Sequence, residues 1–487
     1  MRKLLVAAIV LLITSPAFAA IQNVKVSGDI QTTFVDRQDF SFGILESGTP
    51  TGLVSQRLFA EQTRLRVDAD LTDNVSTTVR LINETAWGLP AGDTGSVGSG
   101  TQGLKGVDLD LAYVTLKSFL YSPLTLTVGR QEFFFGNGLI IGGGPNNSTS
   151  GHFTGVANDL SEIDSLDGIK AVLDYKPLTL SFIYYKNAQG VPSLTGAYDS
   201  NGESSDVYGV NANYQLGDAY NTVLEAYLFS RVDGNNILGT GQDKGNTLYV
   251  PGLRASTNPV KGLNVQGELA WEGGNNVVTT GAGTTLSPYK EEAEHRNAIA
   301  AQLLTTYSLP VLEKYKPAVN ASYTYASGDK NSDQNYDSSA IKSAKVFSAW
   351  DQFGKNQNSG TIYSALFPLS NLNIFALGAS ASPLQDVTTA FTWSSLWAAD
   401  KFGDQNPLVL YQPNQSNGSA SPNALYAGDG ISGKKGLGNE YDINIGYNYT
   451  EDVSFGVSLG WFAPGNAFAD SNRNTASQAI ADLRVAF

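Results

Sequence analysis

Apolar and polar residues alternate along most of this chain. Between Asn439 and Tyr449, the residues Tyr441, Ile443, Ile445, Tyr447 and Tyr449 alternate with Asp442, Asn444, Gly446 and Asn448. Thr450-Glu451-Asp452 turns the chain, and Val453, Phe455, Val457, Leu459 and Trp461 then alternate with Ser454, Gly456, Ser458 and Gly460. A period of two puts every apolar residue of a strand on one face. The other face here is polar or glycine. The same pattern predicts Val24–Phe34, Leu65–Leu71, Val75–Ile82, Val107–Lys117, Leu124–Phe135, Ile169–Tyr175 and Leu178–Tyr184 as strands. Further strands are predicted at 206–214, 222–231, 248–257, 262–272, 296–308, 317–327, 371–381 and 387–398, before 439–449, 453–462 and 477–487. Most prolines fall in the joints (Pro123, Pro177, Pro259, Pro310, Pro383), where no ladder hydrogen bond is lost.

The connections alternate too. Those at 72–74, 118–123, 176–177, 215–221, 258–261, 309–316, 382–386 and 450–452 are short. Those at 35–56, 88–106, 136–166, 187–205, 232–247, 273–295, 328–370, 399–438 and 463–476 are long and rich in Gly, Asn, Ser and Asp. Short turns at one end and long loops at the other mark an outer-membrane barrel. Lipid offers no hydrogen-bond partner, so every strand must pair on both edges and the sheet must close. The expectation is an all-β, transmembrane, antiparallel up-and-down barrel of eighteen strands, with sixteen as the alternative count. A soluble sandwich shares the alternation, but it needs a second sheet to cover each apolar face.

The N-terminus fits that location. Arg2 and Lys3 precede an apolar run, Leu4–Ile13, and Ala17-Phe18-Ala19 supplies a small-x-small cleavage site. Residues 1–19 therefore read as a secretory signal peptide and 20–487 as a single barrel domain in the bacterial outer membrane. The last strand places Ala479, Ala481, Leu483, Val485 and Phe487 outward. A final aromatic residue resembles the C-terminal strand by which bacterial barrels address their insertion machinery.

Composition narrows the chemistry. The chain has 51 Gly, 23 Tyr, 22 Phe and no Cys, which excludes disulfides and Cys metal sites. The formal charge of −14 argues against nucleic acid as a partner. With only His152 and His295, a multi-His metal site or a Ser/His relay has little material, and neither an enzyme nor a cofactor is expected. Asp329, Asp333 and Asp337 lie four apart in a polar loop as a weak Ca²⁺ candidate, without the EF-hand spacing.

A barrel of this size encloses water, so its function lies on the inward parity. That parity carries Lys25, Arg64, Arg66, Arg80, Lys170, Arg231, Arg254 and Arg484. It also carries Asp29, Asp68, Asp70, Glu84, Asp108, Asp110, Asp174, Glu225, Glu268, Asp442 and Asp482. Arg64, Arg66 and Arg80 lie on adjacent strands and form one basic patch, pair with nearby acids such as Asp68, Asp70 and Glu84, or do both.

Gly129-Arg130-Gln131-Glu132, Phe135-Gly136-Asn137-Gly138 and Leu166-Asp167-Gly168-Ile169 resemble motifs of the alginate export family of outer-membrane porins. So do Tyr325-Ala326-Ser327-Gly328-Asp329, Phe367-Pro368, Gly438-Asn439-Glu440-Tyr441-Asp442 and Trp461-Phe462-Ala463-Pro464-Gly465. In order, these cover most of the mature chain. The resemblance implies an eighteen-stranded monomer that passes an anionic polysaccharide through a basic constriction, without covalent chemistry. It assigns Glu132, Asp167 and Glu440 to the solute path beside Asp442, and a constriction role to Arg130. The alternation alone sends Arg130 toward lipid with Leu124, Leu126 and Val128, unless Gly129 marks a bulge.

The expected function is passive passage of a charged solute, foremost an anionic oligo- or polysaccharide. The alternative is a general diffusion porin for small charged solutes, since the inward acids outnumber the bases. A plug from 328–370 would favour the dedicated channel.

Overall fold

The computed structural model describes residues 23–42, 55–88, 106–142, 158–188, 205–234, 245–280, 290–329, 346–353, 360–400, 434–468, 470 and 473–487. The signal-peptide reading, Asp333 and Asp337 lie outside them. The strands on one side of the ring are β1 (Asn23–Gln38), β2 (Ser55–Thr72), β3 (Val75–Ala86), β4 (Asp108–Leu116), β5 (Leu124–Glu132) and β6 (Ser165–Asp174). Next come β7 (Leu178–Ala188), β8 (Ser205–Gln215), β9 (Val223–Asp233), β10 (Asn246–Val260), β11 (Leu263–Thr280), β12 (Lys290–Ser308) and β13 (Ala318–Ala326). After the two-residue β14 (Val346–Phe347) follow β15 (Leu372–Ala381), β16 (Val387–Ala398), β17 (Gly436–Asn448), β18 (Val453–Pro464) and β19 (Ala476–Ala486). Apart from β14, which lies parallel to β12 at His295 and Arg296, each strand pairs antiparallel with its neighbours in sequence.

The ring closes where β1 meets β19, from Asp29↔Ala486 to Gln38↔Ser477. The closed all-β barrel of eighteen spanning strands is the expected fold. At the seam the Phe487 N–H donates to the Gly28 carbonyl at 2.9 Å, and the Gly28 N–H donates back to Phe487 at 2.8 Å. A Cβ on Gly28 would lie 2.7 Å from the Phe487 ring, so glycine is what lets the terminal aromatic lie across the seam.

Outward positions follow the predicted parity. Val26, Leu65, Val79, Val128, Ile169, Leu253, Leu269, Phe391 and Ile445 are exposed apolar residues on the outer face, where lipid is their solvent. Exposed Tyr121, Tyr175, Tyr214, Tyr220, Tyr449 and Phe487 cluster at the short-turn end, and Phe59 stacks on Trp87 at the long-loop end, with ring centroids 4.9 Å apart. These are the two interfacial girdles of a membrane barrel.

Several strands run past the predicted limits, mostly toward the long-loop end, although β10 also runs on to Val260 at the short-turn end. β2 starts at Ser55 rather than near Leu65, and β11 and β12 meet at Thr280↔Lys290. Beyond the lipid the outward face no longer has to be apolar. Arg57, 68% exposed, pairs there with Asp36 at 2.6 Å.

The inside is not empty. Phe40, Phe42, Phe133, Leu139, Ile140, Ile141, Trp350, Phe353, Ile362, Tyr363, Leu366 and Phe367 are buried in one cluster with lumen-parity residues of the wall. Segments 39–42, 133–142, 158–164, 346–353 and 360–371 therefore fold into the barrel. Burial of apolar side chains against the wall drives this, at roughly 25 cal/mol per Å² of apolar surface removed from water.

Candidate functional site

One wall of the lumen, β19–β1–β2–β3, carries Arg37, Arg64, Arg66, Arg80 and Arg484. Arg64 Nε donates to Asp29 Oδ1 at 2.7 Å, and Arg64 Nη2 and Arg484 Nη2 both reach Asp29 Oδ2 at 2.5 Å. Arg66 lies directly opposite Arg80 across the β2–β3 ladder. Like charges in that position repel, and carboxylates on both flanks offset the repulsion. Arg66 Nε donates to Asp68 Oδ2 at 2.7 Å. Arg80 bonds Asp110, and its Nη2 donates to Glu132 Oε1 at 2.6 Å.

Segment 158–164 lies against this wall. Its turn Asn158–Leu160 presents Asp159 to Arg37, which donates to both carboxylate oxygens at 3.0 and 2.6 Å. Glu162 pairs with Arg64, and Asp164 lies 4.0 Å from Arg80. The wall also holds the segment's backbone. Glu84 accepts from the Glu162 N–H and the Ser161 hydroxyl, both at 2.8 Å, and Gln62 Nε2 donates to the Leu160 carbonyl at 3.0 Å. Burial, and then the neighbouring Glu132, push the Asp164 carboxyl up to about 6.

Two further clamps hold the other inward segments. Asp351 Oδ2 receives Arg231 Nη2 at 2.7 Å and lies 2.9 Å from Arg296 Nη1, while the Asp351 N–H donates to Glu272 at 3.0 Å. Arg231 lies over the Phe353 ring and Arg296 over the Phe347 ring, both at 5.5 Å, a favourable cation–π arrangement. Burial pushes the Asp351 carboxyl up, but the two guanidiniums outweigh it and hold the group below the ordinary carboxylate range. On β17, Glu440 accepts three successive N–H groups, from Thr361 at 2.6 Å, Ile362 at 2.8 Å and Tyr363 at 2.7 Å. These N–H groups open the single-turn helix Tyr363–Leu366, where unpaired donors and the peptide dipoles favour an anion. The Thr361 hydroxyl adds a bond to Asp442 at 2.8 Å.

The sequence matches the family described as alginate export over residues 22–482. The chain belongs to the alginate export family. Its outer-membrane location and channel architecture follow from that membership and from the barrel. Among solved structures, OccK3 (OpdO) of Pseudomonas aeruginosa is similar at 13% identity and a TM-score of 0.51, covering 96% of this chain and 97% of that one. OccAB2 of Acinetobacter baumannii gives 11% identity and the same score, covering 96% and 99%. The outer membrane protein OprD of Pseudomonas aeruginosa gives 10%, again at 0.51, covering 96% of each chain. At such identities the likeness is one of fold. A comparison with curated protein sequences finds no match.

In this family member, Arg64, Arg66, Arg80, Arg484 and Glu132 come together on one wall. Arg254 stands on another, 3.3 Å from Glu225, and its Nη2 donates to Asn137 of segment 133–142 at 3.1 Å. Lys170 lies over the Phe135 ring of the same segment at 5.6 Å. Glu440 and Asp442 hold segment 360–371 rather than lining an open path. Arg130 and Asp167 form an outward pair at 3.3 Å, away from the arginine wall. The β5–β6 ladder runs from Leu124↔Leu173 to Glu132↔Ser165 without a register shift. Gly129 has a φ of 128° but inserts no bulge, so Arg130 keeps the parity of exposed Val128 and pairs with exposed Asp167, which does not suit a constriction role, whereas Glu132, at the end of the strand, turns in to Arg80. Asp329 accepts from the Ser348 hydroxyl at 3.3 Å, and no cluster of three or more metal-binding side chains occurs among the described residues.

Sequence reading missed Arg37, Asp159, Glu162, Asp164, Glu272, Arg296 and Asp351. Arg37 was within reach, because it continues the inward parity of Asp29, Gln31 and Thr33 on β1. Glu272 and Arg296 likewise continue the parities of β11 and β12. The segment residues carried no such signal.

Proposed function

We propose that this channel passes carboxylate-bearing sugars, single uronates and short chains of them, along the arginine wall. The observation that carries this reading is the wall's present occupancy. Asp159, Glu162 and Asp164 of one inward segment lie beside Arg37, Arg64 and Arg80. A row of guanidiniums that holds successive carboxylates of a peptide segment suits successive carboxylates of an acidic saccharide, through charge-assisted and often bidentate contacts. The solute exchanges for carboxylates already there, so the wall offers transient sites rather than a trap, as conduction requires.

Each such hydrogen bond to a charged group contributes about 1.5–3 kcal/mol, which is roughly 10- to 100-fold in affinity. In planar bilayers an oligouronate is expected to block wild-type current, and Arg64→Ala is expected to weaken that block at least about tenfold. A cation-selective current indifferent to oligouronates would sink the reading and leave a general diffusion porin. The surplus of carboxylates (Asp29, Asp68, Asp110, Glu132, Asp159, Glu162, Asp164) around the five wall arginines (Arg37, Arg64, Arg66, Arg80, Arg484) favours that second reading.

A pH prediction separates the wall from bulk charge. Asp164 takes up a proton as pH falls through about 6, so the lumen loses one negative charge there. Between pH 7.5 and 5 the anion-to-cation permeability ratio should rise, and in Asp164→Asn most of that rise should vanish. An unchanged pH response in the variant removes Asp164 from the permeation path.

A further inference from the structure

The short-turn half of the lumen holds a cavity of about 420 Å³ between β15, β16, β17, β18 and β19. Its lining includes the side chains of Ser380, Thr388, Asn444, Ser458 and Asp482, with Lys316 from the β12–β13 connection. The volume falls within the roughly 300–1,000 Å³ of small-ligand pockets. It exists because Gly446 and Gly456 face each other across the β17–β18 ladder. A Cβ on Gly446 would lie 2.7 Å from the Thr388 hydroxyl, and one on Gly456 would run into the Asp482 carboxylate. The Ser458 hydroxyl donates to Asn444 Oδ1 at 2.6 Å, which fixes the amide so that its NH₂ points away from the serine. Two residues along β19 from Asp482, on the same parity, stands the half-exposed Arg484, the arginine of the charged wall nearest this cavity in the strand order.

We propose that this cavity is a sugar-ring subsite on the periplasmic side of the channel, with ring hydroxyls on Ser380, Thr388, Asn444, Ser458 and Asp482 and a uronate carboxylate on Arg484. It rests on the uronate reading above and deepens it by placing the ring. Hydroxyls, one amide, one carboxylate and the Lys316 ammonium match the mixed donor and acceptor character of sugar hydroxyls. The cavity lining contains no aromatic platform, so binding relies on hydrogen bonds and stays weak. A transport site must release what it binds. The two glycines keep the space open, and Arg484 joins the ring site to the arginine wall.

The chain contains no cysteine, so single-cysteine variants report one position each. Ser458→Cys and Thr388→Cys, with Ser256→Cys on the distant β10 wall as the reference, are reconstituted in planar bilayers. Glucuronate is added from the periplasmic side before and after reaction with a bulky, uncharged thiol reagent. Unreacted variants should form conducting channels, which verifies folding, and the block measured before reaction is each variant's own reference. After reaction, block at positions 458 and 388 should weaken at least tenfold and remain unchanged at 256. Block that persists after complete reaction at 458 and 388, or that is lost equally at 256, overturns the subsite and leaves the uronate reading standing. A conducting wild-type channel that glucuronate never blocks overturns both. Glucose serves as the uncharged probe. Weaker block by glucose than by glucuronate in wild type, with the difference erased in Arg484→Gln, supports the carboxylate's place, and equal block by both sugars overturns it.

Discussion

Replacing Asp351 with alanine should open the channel and destabilise the inward segment around it. Arg231 and Arg296 would keep their buried positions on the wall with no carboxylate between them, and Glu272 would lose the anchored Asp351 that now donates its N–H. Removing one partner of a buried ion pair costs about 3–5 kcal/mol where the remaining charge is left uncompensated; Arg231 keeps Asp233 at 3.0 Å, so the loss falls mainly on Arg296. The barrel ladder does not depend on Asp351, so the loss should fall on segment 346–353. Single-channel conductance should rise, and a protease added from the long-loop side should cut near 346–353 faster than in wild type. Asp351→Asn keeps the shape and removes the charge, so it should fall between the two. Wild-type conductance and cleavage in Asp351→Ala would show that the clamp does not hold the segment.

The sign of its pH dependence follows from the depressed carboxyl. A group whose folded pKa lies below its unfolded value contributes stability above that unfolded value, near 4 for aspartate, and the contribution is lost as pH falls through the folded value. The Asp351 clamp is therefore at full strength at neutral and mildly acidic pH. Any opening seen between pH 7 and 5 belongs to another group, and among the described residues outside the strands Asp164 is the one whose carboxyl is raised into that range.

The barrel was legible in the sequence because lipid imposes a rule on every spanning residue. Outward positions must be apolar, so a period of two survives in all eighteen strands, and the long–short rhythm of connections fixes which end is which. The same rule explains where the reading fell short. Above the lipid, Asp36 and Arg57 can face outward, the alternation fades, and β2, β11 and β12 look shorter in the sequence than they are. Inward charges were legible as a set, because parity places Arg64, Arg66, Arg80 and Arg484 on one face. Their strand partners Asp29, Asp68 and Asp110 were legible by the same parity, but the carboxylates that come from the connections were not. Asp159, Glu162 and Asp351 come from connections that have no periodicity, and only the folded chain brings them to the wall. Arg130 shows the two kinds of signal in conflict. The motif pointed inward and parity pointed outward, and parity prevails because Gly129 takes a positive φ without adding a residue to the ladder.

Glu440 is the second place where one side chain holds a whole segment. Its carboxylate is fully buried and accepts the N–H groups of Thr361, Ile362 and Tyr363. Glu440→Ala leaves these three donors without their acceptor in a site from which water is excluded. Each unsatisfied buried donor costs about 1–3 kcal/mol, so the segment should lose several kcal/mol of its hold on the wall. The Thr361 hydroxyl on Asp442, over the bare backbone of Gly460, and the Gln478 amide that donates to the Thr361 carbonyl at 3.2 Å would remain. Ile362 and Tyr363 are fully buried, so their amides exchange with solvent only when the segment leaves the wall. Hydrogen exchange at 361–363 should therefore accelerate by two orders of magnitude or more in Glu440→Ala, since 1.4 kcal/mol is about tenfold in an opening equilibrium. Glu440→Gln keeps one acceptor oxygen but sets an NH₂ against the same donors, so its exchange should lie between the two. A faster-exchanging segment with unchanged conductance would make 360–371 a structural brace. A conductance that rises together with exchange makes it the plug, held by one carboxylate at the mouth of a single helical turn.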